Sequence, residues 1–199
     1  MNRSILLLTL TLYFCGGGQS NGIEVKSRDL NRIHIQLDGY KIDDLARYIS
    51  GRPTNLPEKF QSLTATPAYA AYAARTREGW NRYNSSRLET IRKWRDTELK
   101  DKVSPRIFYP FGGPDILHPL VFFEDFETMV MIGLEPAGSV PLPTFANPTL
   151  EMQRLPAIFR LVSDVWGRNF YRTIWMRKDF GHSDYRSIST IILFGLGLN

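Results

Sequence analysis

Apolar and polar residues alternate between Ile33 and Asp38, with isoleucine or leucine at every second position. This period of two predicts a half-buried strand that ends at the turn formed by Asp38 and Gly39. The period then lengthens, and residues 43–50 have the pattern of a short helix that ends at Gly51. This part of the chain therefore predicts a strand followed by a helix.

A longer pattern, with apolar spacings of three and four, begins at Thr66 and Pro67. Threonine is a typical helix N-cap and proline a typical first helical residue, so we predict that a helix begins there. The residues predicted to form its buried face are Tyr69, Tyr72, Thr76, Trp80 and Tyr83. The segment 86–89 fits a capping box, which predicts that a second helix begins at Ser86. The apolar residues of that second helix are Leu88, Ile91, Trp94 and Leu99.

The combination of a cap residue and a proline recurs at Asn147 and Pro148, and Pro156 predicts that the helix begins again at that point. The predicted helix ends at Gly167. Its apolar stripe comprises Ile158, Leu161, Val162, Val165 and Trp166.

The segment from 106 to 134 predicts a compact strand-turn-helix-strand unit. Residues 107–109 predict a strand, 111–115 a tight turn, 116–123 a short helix and 128–134 a second strand. Since residues 129–132 are apolar on both faces, the second strand is expected at the centre of a partly parallel sheet. The predicted fold class is a mixed α/β, helix-rich single domain that covers residues 23–199.

The composition agrees with one globular domain, because the chain has 199 residues of which 43% are hydrophobic and 23% charged. These values exclude a disordered protein, a collagen-like chain and a repeat array.

Residues 1–14 have the pattern of a signal peptide. Arg3 supplies a basic start, and the uncharged apolar run 5–14 is too short to cross a bilayer, which needs about 20 residues. Residues 15–22 are rich in glycine and predict a flexible tether. The alternative interpretation of the apolar run is a buried first strand.

Cys15 is the only cysteine, so no intramolecular disulfide forms. It directly follows the apolar run, which resembles the cleavage site of bacterial lipoproteins, with Leu12 and Gly16 at suitable positions and Phe14 in place of the usual small residue. A lipid on Cys15 would anchor the protein to a membrane. We therefore expect a lipoprotein of the bacterial cell envelope, in the outer membrane or periplasm, or alternatively a secreted protein.

Essentially all of the excess positive charge lies between Arg75 and Arg106, a segment that contains ten basic and five acidic residues. This segment predicts a solvated basic helix face, for which an anionic lipid surface is the expected contact. No nucleic acid is expected, because the aromatic residues of the segment share the stripe that is predicted to face the core.

Asp115 and Glu135 follow the two predicted strands, at the edge where ligands of open α/β sheets bind. Two carboxylates there would serve as acid and base or hold a cation. The alternative is that Asp115 caps the following helix and Glu135 ends a strand. Asp115 and His118 also form an i,i+3 pair, which is a candidate acid-base dyad or a chance placement.

Residues 136–150 contain four prolines and no charge, which predicts a long apolar loop suited to binding a partner or ligand. The final apolar run, residues 188–198, has the composition of a buried segment. Since domain termini normally lie at the surface, we expect a truncated chain.

Residues 108–117, the pair Phe122 and Phe123, and the stretch 131–138 resemble an uncharacterised bacterial family of exported proteins and lipoproteins. Its pattern is Tyr-Pro-Phe-Ser-Gly-Pro-Asp followed by Gly-Leu-Glu-Pro, with Gly112 here in place of the serine and His118 in place of an aromatic residue. The resemblance covers about two thirds of the chain and implies an exported protein. It implies no activity and no cofactor.

The expected function is therefore that of an exported, lipid-anchored envelope protein that binds a partner or ligand. The alternative is a carboxylate-dependent, hydrolase-like or metal-dependent enzyme that uses Asp115 and Glu135.

Overall fold

The computed structural model describes residues 8–10, 36–37, 39–99, 105–111, 115, 118–123, 128–133, 140, 142–167 and 188–198. The chain divides into two compact units. The sheet unit comprises Met1–His34 and Ser85–Ala137, and the helical unit comprises Ile35–Asn84 and Gly138–Asn199. The expectation of one domain over residues 23–199 stays a prediction.

The fold is mixed α/β and dominated by helices, which confirms the predicted class. In chain order, the described elements are β1 (Leu8–Leu10), β2 (Gln36–Leu37), β3 (Tyr40–Lys41), α1 (Ile42–Ile49), α2 (Gln61–Thr64), α3 (Pro67–Tyr83), α4 (Glu89–Glu98), β4 (Arg106–Phe111), α5 (Pro119–Phe122), β5 (Thr128–Gly133), α6 (Pro148–Gly167) and α7 (Ile188–Leu198). A short 3₁₀ helix, Glu58–Phe60, precedes α2, and a π-helical segment, Asn84–Leu88, lies between α3 and α4.

The helical unit begins with an antiparallel hairpin of β2 and β3 that leads directly into α1. Gly39 occupies the turn with a φ of 80°, a value that glycine adopts without steric cost. Gly51 ends α1 with a φ of 71°, as the sequence predicts. A side chain there would also collide with the backbone of Ala73 in α3, so glycine allows a close approach.

The last turn of α1 is held by side chains from α3. Tyr69 Oη donates a hydrogen bond to the carbonyl of Tyr48 at 2.9 Å, and Tyr72 Oη donates to the carbonyl of Ile49. Both carbonyls belong to the end of a helix, where the helix itself no longer supplies N–H donors. The carbonyl of Tyr48 also accepts a hydrogen bond from the backbone N–H of Gly51 at 3.2 Å. Burial raises the pKa of both phenols, so they remain protonated donors.

The other side of α1 meets α7. Ser50 Oγ donates to the carbonyl of Gly197 at 3.2 Å, and Arg52 Nη1 donates to the carbonyl of Leu198 at 2.6 Å. A methyl group on Gly197 would overlap the carbonyl of Ala46. The apolar run 188–198 therefore forms a buried helix that packs closely on α1.

Helices α3 and α6 begin as predicted. Tyr69 N donates to Thr66 Oγ1 at 3.1 Å, and Leu150 N donates to Asn147 Oδ1 at 3.0 Å, so both N-caps are confirmed. The expectation that Pro156 begins a new helix is wrong, because α6 runs through it without interruption. Proline lacks an N–H, so the carbonyl of Met152 has no helical partner at that position.

The face predicted for α3 is confirmed: Tyr69, Tyr72, Thr76 and Tyr83 are buried and Trp80 is half-buried. The rings of Tyr83 and Trp166 stack with centroids 6.2 Å apart, and Trp166 also meets Phe194 of α7. Gly79 makes this packing possible, because a methyl group there would overlap the ring of Trp166.

The expectation that a capping box begins a second helix at Ser86 is wrong. Asn84 keeps a right-handed helical conformation, and the chain passes through the π-helical segment into α4. Leu88 is the N-cap of α4 and makes no side-chain cap hydrogen bond. In this segment the helix therefore continues with i→i+5 hydrogen bonds and does not end.

The sheet unit contains the predicted strand-turn-helix-strand arrangement. β4 and β5 pair in parallel, from Arg106 with Thr128 to Phe111 with Gly133, and α5 lies between them in the chain. Met129 is fully buried. β5 is the middle strand of a sheet with the order β1-β5-β4, so its predicted central position is confirmed.

β1 lies within the segment predicted as a signal peptide. Leu8–Leu10 pair in parallel with Met129–Met131 of β5. A strand in this place agrees with the alternative interpretation of the apolar run. Among the described helices, none is both long enough and apolar enough to cross a membrane.

Candidate functional site

The structure brings Asp115 and His118 together in the sheet unit. His118 Nδ1 lies 3.2 Å from Asp115 Oδ1, and Tyr109 of β4 donates its phenolic hydrogen to Asp115 Oδ2 at 2.7 Å. An ionised carboxylate only accepts hydrogen bonds, so the proton between the first pair lies on Nδ1. The three side chains, one from β4 and two from the residues that follow it, form a connected polar group, which we call the Asp115 cluster.

The hydrogen bonds decide the ionisation of Asp115. Burial by itself would raise the pKa of this carboxyl group, but hydrogen bonds from His118 and Tyr109 outweigh it and lower the pKa below its usual value. The pKa of the Tyr109 phenol is raised by burial and by its bond to the carboxylate. At neutral pH the cluster therefore contains an anionic acceptor and a phenolic donor.

Aromatic side chains and α4 enclose the cluster. The ring of His118 lies 6.5 Å from that of Phe122, which also makes an edge contact with Trp94. Arg95 Nη1 donates to the carbonyl of Val121 at 3.0 Å and holds the end of α5. His118 is only 5% exposed, so its imidazole is nearly closed to solvent.

Asp115 does not cap the following helix through its side chain. α5 begins at Pro119, its N-cap is His118, and that residue makes no side-chain cap hydrogen bond. The sequence analysis does not predict a role for Tyr109, although this residue lies within the motif of residues 108–117. A tyrosine on the strand that precedes an aspartate is the pattern that could have indicated it. Glu135 and Cys15 lie outside the described residues, so the Asp115 and Glu135 pairing stays a prediction.

A second buried carboxylate, which the sequence did not indicate, lies in the helical unit. Glu151 Oε1 accepts a hydrogen bond from Tyr48 Oη at 3.0 Å, and Oε2 accepts from the backbone N–H of Thr144 at 3.1 Å. Arg154 Nη1 lies 3.3 Å from Oε2 and also bonds the hydroxyl of Thr144. Glu151 is only 3% exposed, and both of its oxygens are occupied, so it ties α1, the loop and α6 together.

This arrangement also accounts for the described part of the uncharged loop. Pro143 is buried, and the ring of Phe145 stacks on Tyr40 and meets Phe60 edge-on. Residues 142–147 therefore pack on the helical unit and lead into α6. The remaining residues of this loop, apart from Val140, lie outside the described part of the chain.

An open apolar groove of about 380 Å³ lies between α3 and α6 in the helical unit. This volume falls within the range of about 300–1,000 Å³ that is typical of small-molecule sites. The residues that line it are Ala68, Ala71, Tyr72, Arg75, Met152, Leu155, Pro156, Phe159, Arg160, Ser163 and Asp164. On each helix these residues recur at spacings of three and four, so each helix contributes one continuous face.

Two cations stand at this groove, Arg75 from α3 and Arg160 from α6, together with one anion, Asp164. Tyr72 contributes only its ring, because its hydroxyl donates to Ile49. The floor is apolar, with Leu155 buried and Phe159 and Met152 partly exposed. The groove therefore combines an apolar surface with two guanidinium groups.

The basic helices present most of their charge to solvent. Arg75, Arg77, Arg82, Arg87 and Lys93 are all exposed. The expectation that the aromatic residues of the segment share a buried face is wrong for Trp94, which is 50% exposed, and α4 has no buried residue. The ring of Trp94 rests instead on the edge of Phe122.

Within the described ranges, no three His, Cys, Asp or Glu side chains gather in a group that could hold a metal ion. Comparison with known proteins adds no relative: no family model, no curated protein and no solved structure matches this chain.

Proposed function

We propose that this chain is an exported component of the bacterial cell envelope, anchored by a lipid on Cys15, that binds an apolar ligand in the groove between α3 and α6. The observation that carries the binding proposal is the groove itself, which offers an apolar floor within a firmly packed pair of helices. The leader pattern and the resemblance to exported proteins and lipoproteins support the location.

The walls of the groove are fixed by contacts that a ligand need not create. Trp166 of α6 packs against Gly79, Trp80 and Tyr83 of α3. Thr66 Oγ1 also lies 3.0 Å from Met152 Sδ at the other end of the pair. A preformed apolar site binds without the cost of ordering its own walls, which favours a binding function.

Nile red, a neutral dye whose fluorescence rises in apolar sites, tests the binding proposal on the full chain. We expect the protein to enhance its fluorescence and Ala71→Phe to abolish the enhancement, because the new ring would fill the groove. Ala74→Phe is the matched control, since Ala74 is exposed on the same helix and does not line the groove. Equal enhancement by both variants would contradict the proposal. If Ala71→Phe does not fold, as judged by circular dichroism, Ala68→Phe replaces it.

Expression in a bacterial host tests the location. Intact mass and membrane fractionation should find a membrane-bound species that begins at acylated Cys15, and Cys15→Ala should remove it from the membrane. A product that retains Met1 would contradict export and would favour the alternative in which residues 8–10 remain a strand of the sheet.

The Asp115 cluster supports a second candidate function, acid-base catalysis of the hydrolase type. A carboxylate that orients an imidazole, placed after a parallel strand, is an arrangement that such reactions use. Hydrolysis of p-nitrophenyl acetate tests it: the activity should be lost in His118→Asn and in Asp115→Asn combined with Glu135→Gln, while far-UV circular dichroism shows that both variants remain folded at the assay temperature. Activity that persists in both variants would exclude the cluster as its source.

A further inference from the structure

The groove between α3 and α6 has a charge pattern that selects among apolar ligands. Arg75 and Arg160 approach it from different helices, and Asp164 lies one helical turn beyond Arg160. Two guanidinium groups and one carboxylate leave a net charge of +1 at the groove. A ligand that buries an apolar body here would thus meet an excess of positive charge.

We propose that the groove binds a single aliphatic chain that ends in a carboxylate, with the chain on the apolar floor and the carboxylate between Arg75 and Arg160. This inference rests on the proposed binding function and specifies its ligand class. A singly charged headgroup balances the net charge of the site, whereas a doubly charged phosphate monoester would exceed it. Guanidinium groups also bind carboxylates through paired N–H donors, which makes the contact directional.

The residue types of the lining agree with an aliphatic chain. Ala68 and Ala71 contribute only methyl groups on the α3 side, and Met152 and Phe159 contribute an adaptable and a flat apolar side chain on the α6 side. The hydroxyl of Tyr72 is already engaged with Ile49, so Tyr72 offers the chain only the apolar surface of its ring. The hydroxyl of Ser163 is the one buried polar atom of the lining that has no hydrogen-bond partner within the described residues.

Two other arginines of the helical unit, Arg154 and Arg52, fit this role less well. Arg154 is bound to Glu151 and Thr144, and Arg52 is bound to the carbonyl of Leu198. No hydrogen bond or ion pair joins Arg75 or Arg160 to another side chain in the described part of the protein. These two side chains therefore have donors to offer a ligand.

Competition against bound Nile red on the full chain tests the inference. Dodecanoate should displace the dye at a concentration about ten-fold lower than dodecanol, which has the same chain and no charge; this ratio corresponds to about 1.4 kcal/mol. The double variant Arg75→Gln/Arg160→Gln should bind both compounds equally. The control Arg77→Gln/Arg82→Gln carries the same net charge, alters exposed arginines outside the groove and should keep the preference.

Each other outcome has a distinct meaning. If dodecanol competes as well as dodecanoate, or if the control loses the preference to the same extent, the carboxylate inference is overturned while the groove remains a binding site. Tighter binding of dodecyl phosphate than of dodecanoate would overturn the singly charged headgroup. If Nile red binding is insensitive to Ala71→Phe, the proposed function fails before the choice of headgroup is reached.

Discussion

Each unit of this protein contains a tyrosine that donates a hydrogen bond to a carboxylate, and the two pairs differ in almost every other respect. In the helical unit, Tyr48 bonds Glu151 across 103 positions of sequence, at 3.0 Å, in the core. In the sheet unit, Tyr109 bonds Asp115 across six positions, at 2.7 Å, and the carboxylate is about one third exposed. The same chemical contact therefore joins distant segments in one unit and neighbouring segments in the other.

In each pair, one carboxylate oxygen bonds the tyrosine, and the partners of the other oxygen distinguish the role of Glu151 from that of Asp115. The second oxygen of Glu151 accepts hydrogen bonds from a backbone N–H and from Arg154, and the side chain is buried, so protein donors rather than a ligand hold it. Asp115 completes its bonding with His118, a group that can exchange a proton. A carboxylate is thus a structural tie when backbone and arginine donors surround it, and a candidate for chemistry when it accepts a hydrogen bond from an imidazole.

The largest effect is expected for Glu151→Ala, which would remove the acceptor of the Tyr48 hydroxyl and the carboxylate partner of Arg154 and would open a cavity in the core. Removal of one partner of a buried ion pair costs about 3–5 kcal/mol of unfolding free energy. Denaturant unfolding followed by tryptophan fluorescence measures it. Glu58→Ala, at an exposed position, is the control and should change stability by less than about 0.5 kcal/mol. Equal losses of unfolding free energy in the two variants would mean that Glu151 does not hold α1, the loop and α6 together.

Gly79→Ala tests the packing of α3 against α6. A methyl group normally stabilises a helix relative to glycine by about 1 kcal/mol. Here it would overlap the ring of Trp166, and overpacking costs about 1–3 kcal/mol, so we expect net destabilisation. Gly167→Ala is the matched comparison, because open space surrounds that position at the end of α6. A Gly79→Ala variant that is more stable than the wild type would show that the two helices can move apart.

The buried tyrosines predict that the helical unit loses folding stability at alkaline pH. Burial raises the folded-state pKa of Tyr48, Tyr69 and Tyr72, so their contribution is fully present below the unfolded-state pKa of about 10 and is lost as pH rises above it. Tyrosinate absorbance and far-UV circular dichroism, recorded in one alkaline titration, should change together. Ionisation of all tyrosines near pH 10 with the helix signal intact would refute this coupling.

The Asp115 cluster predicts that the sheet unit loses folding stability at acidic pH. The pKa of Asp115 is lowered in the folded state, so its contribution is present above the unfolded-state pKa of about 4 and is lost as pH falls through the lower folded-state value. Asp115→Asn should cost about 1–2 kcal/mol at neutral pH. Unfolding at several pH values should show that this difference shrinks below pH about 4.

Tyr109→Phe provides the control for Asp115→Asn in a double-mutant cycle. The two substitutions should be non-additive, because Tyr109→Phe removes the hydrogen bond whose acceptor loses its charge in Asp115→Asn. Additive effects would show that the interaction between Tyr109 and Asp115 contributes no free energy of unfolding, which would contradict the role of this hydrogen bond in the cluster.

The smallest effect is expected for Ser163→Ala at the groove. The Ser163 hydroxyl is buried and has no hydrogen-bond partner within the described ranges. Its replacement removes an unsatisfied group and improves helix propensity, so stability should rise by about 0.5–1 kcal/mol. Thermal unfolding measures this, and Nile red binding should be retained. A loss of stability would indicate that the hydroxyl has a partner.

Local rules predicted most of the element boundaries correctly. Thr66 and Asn147 cap helices because their side chains bond backbone N–H groups three residues later, which sequence alone reveals. The same rules were wrong at Ser86 and Pro156, where the helix continues. Around Pro156, α6 buries apolar residues on both sides of the proline, and that burial outweighs a local signal worth about 3 kcal/mol. At Ser86, the buried face of α3 precedes the weak point and Leu88 is buried just after it.

The candidate sites divide in the same way. Asp115 and His118 were found because they are three residues apart, and a local turn brings them together. Glu151 looked like an ordinary helix-surface glutamate, since nothing near it in sequence indicates that Tyr48 would reach it. The groove was not predicted either, because its walls come from helices about 80 positions apart.

The sequence by itself determined where α3, α6 and β5 begin, which face of α3 is apolar, and that one aspartate and one histidine are neighbours. These properties depend on contacts within a few residues, whose energies are the same in any fold. The tertiary structure alone decided that Tyr48 meets Glu151, that Gly79 admits Trp166, and that Arg75 and Arg160 stand at one groove. Those contacts exist only after distant segments pack, and packing is selected by the total burial of apolar surface rather than by any local pattern.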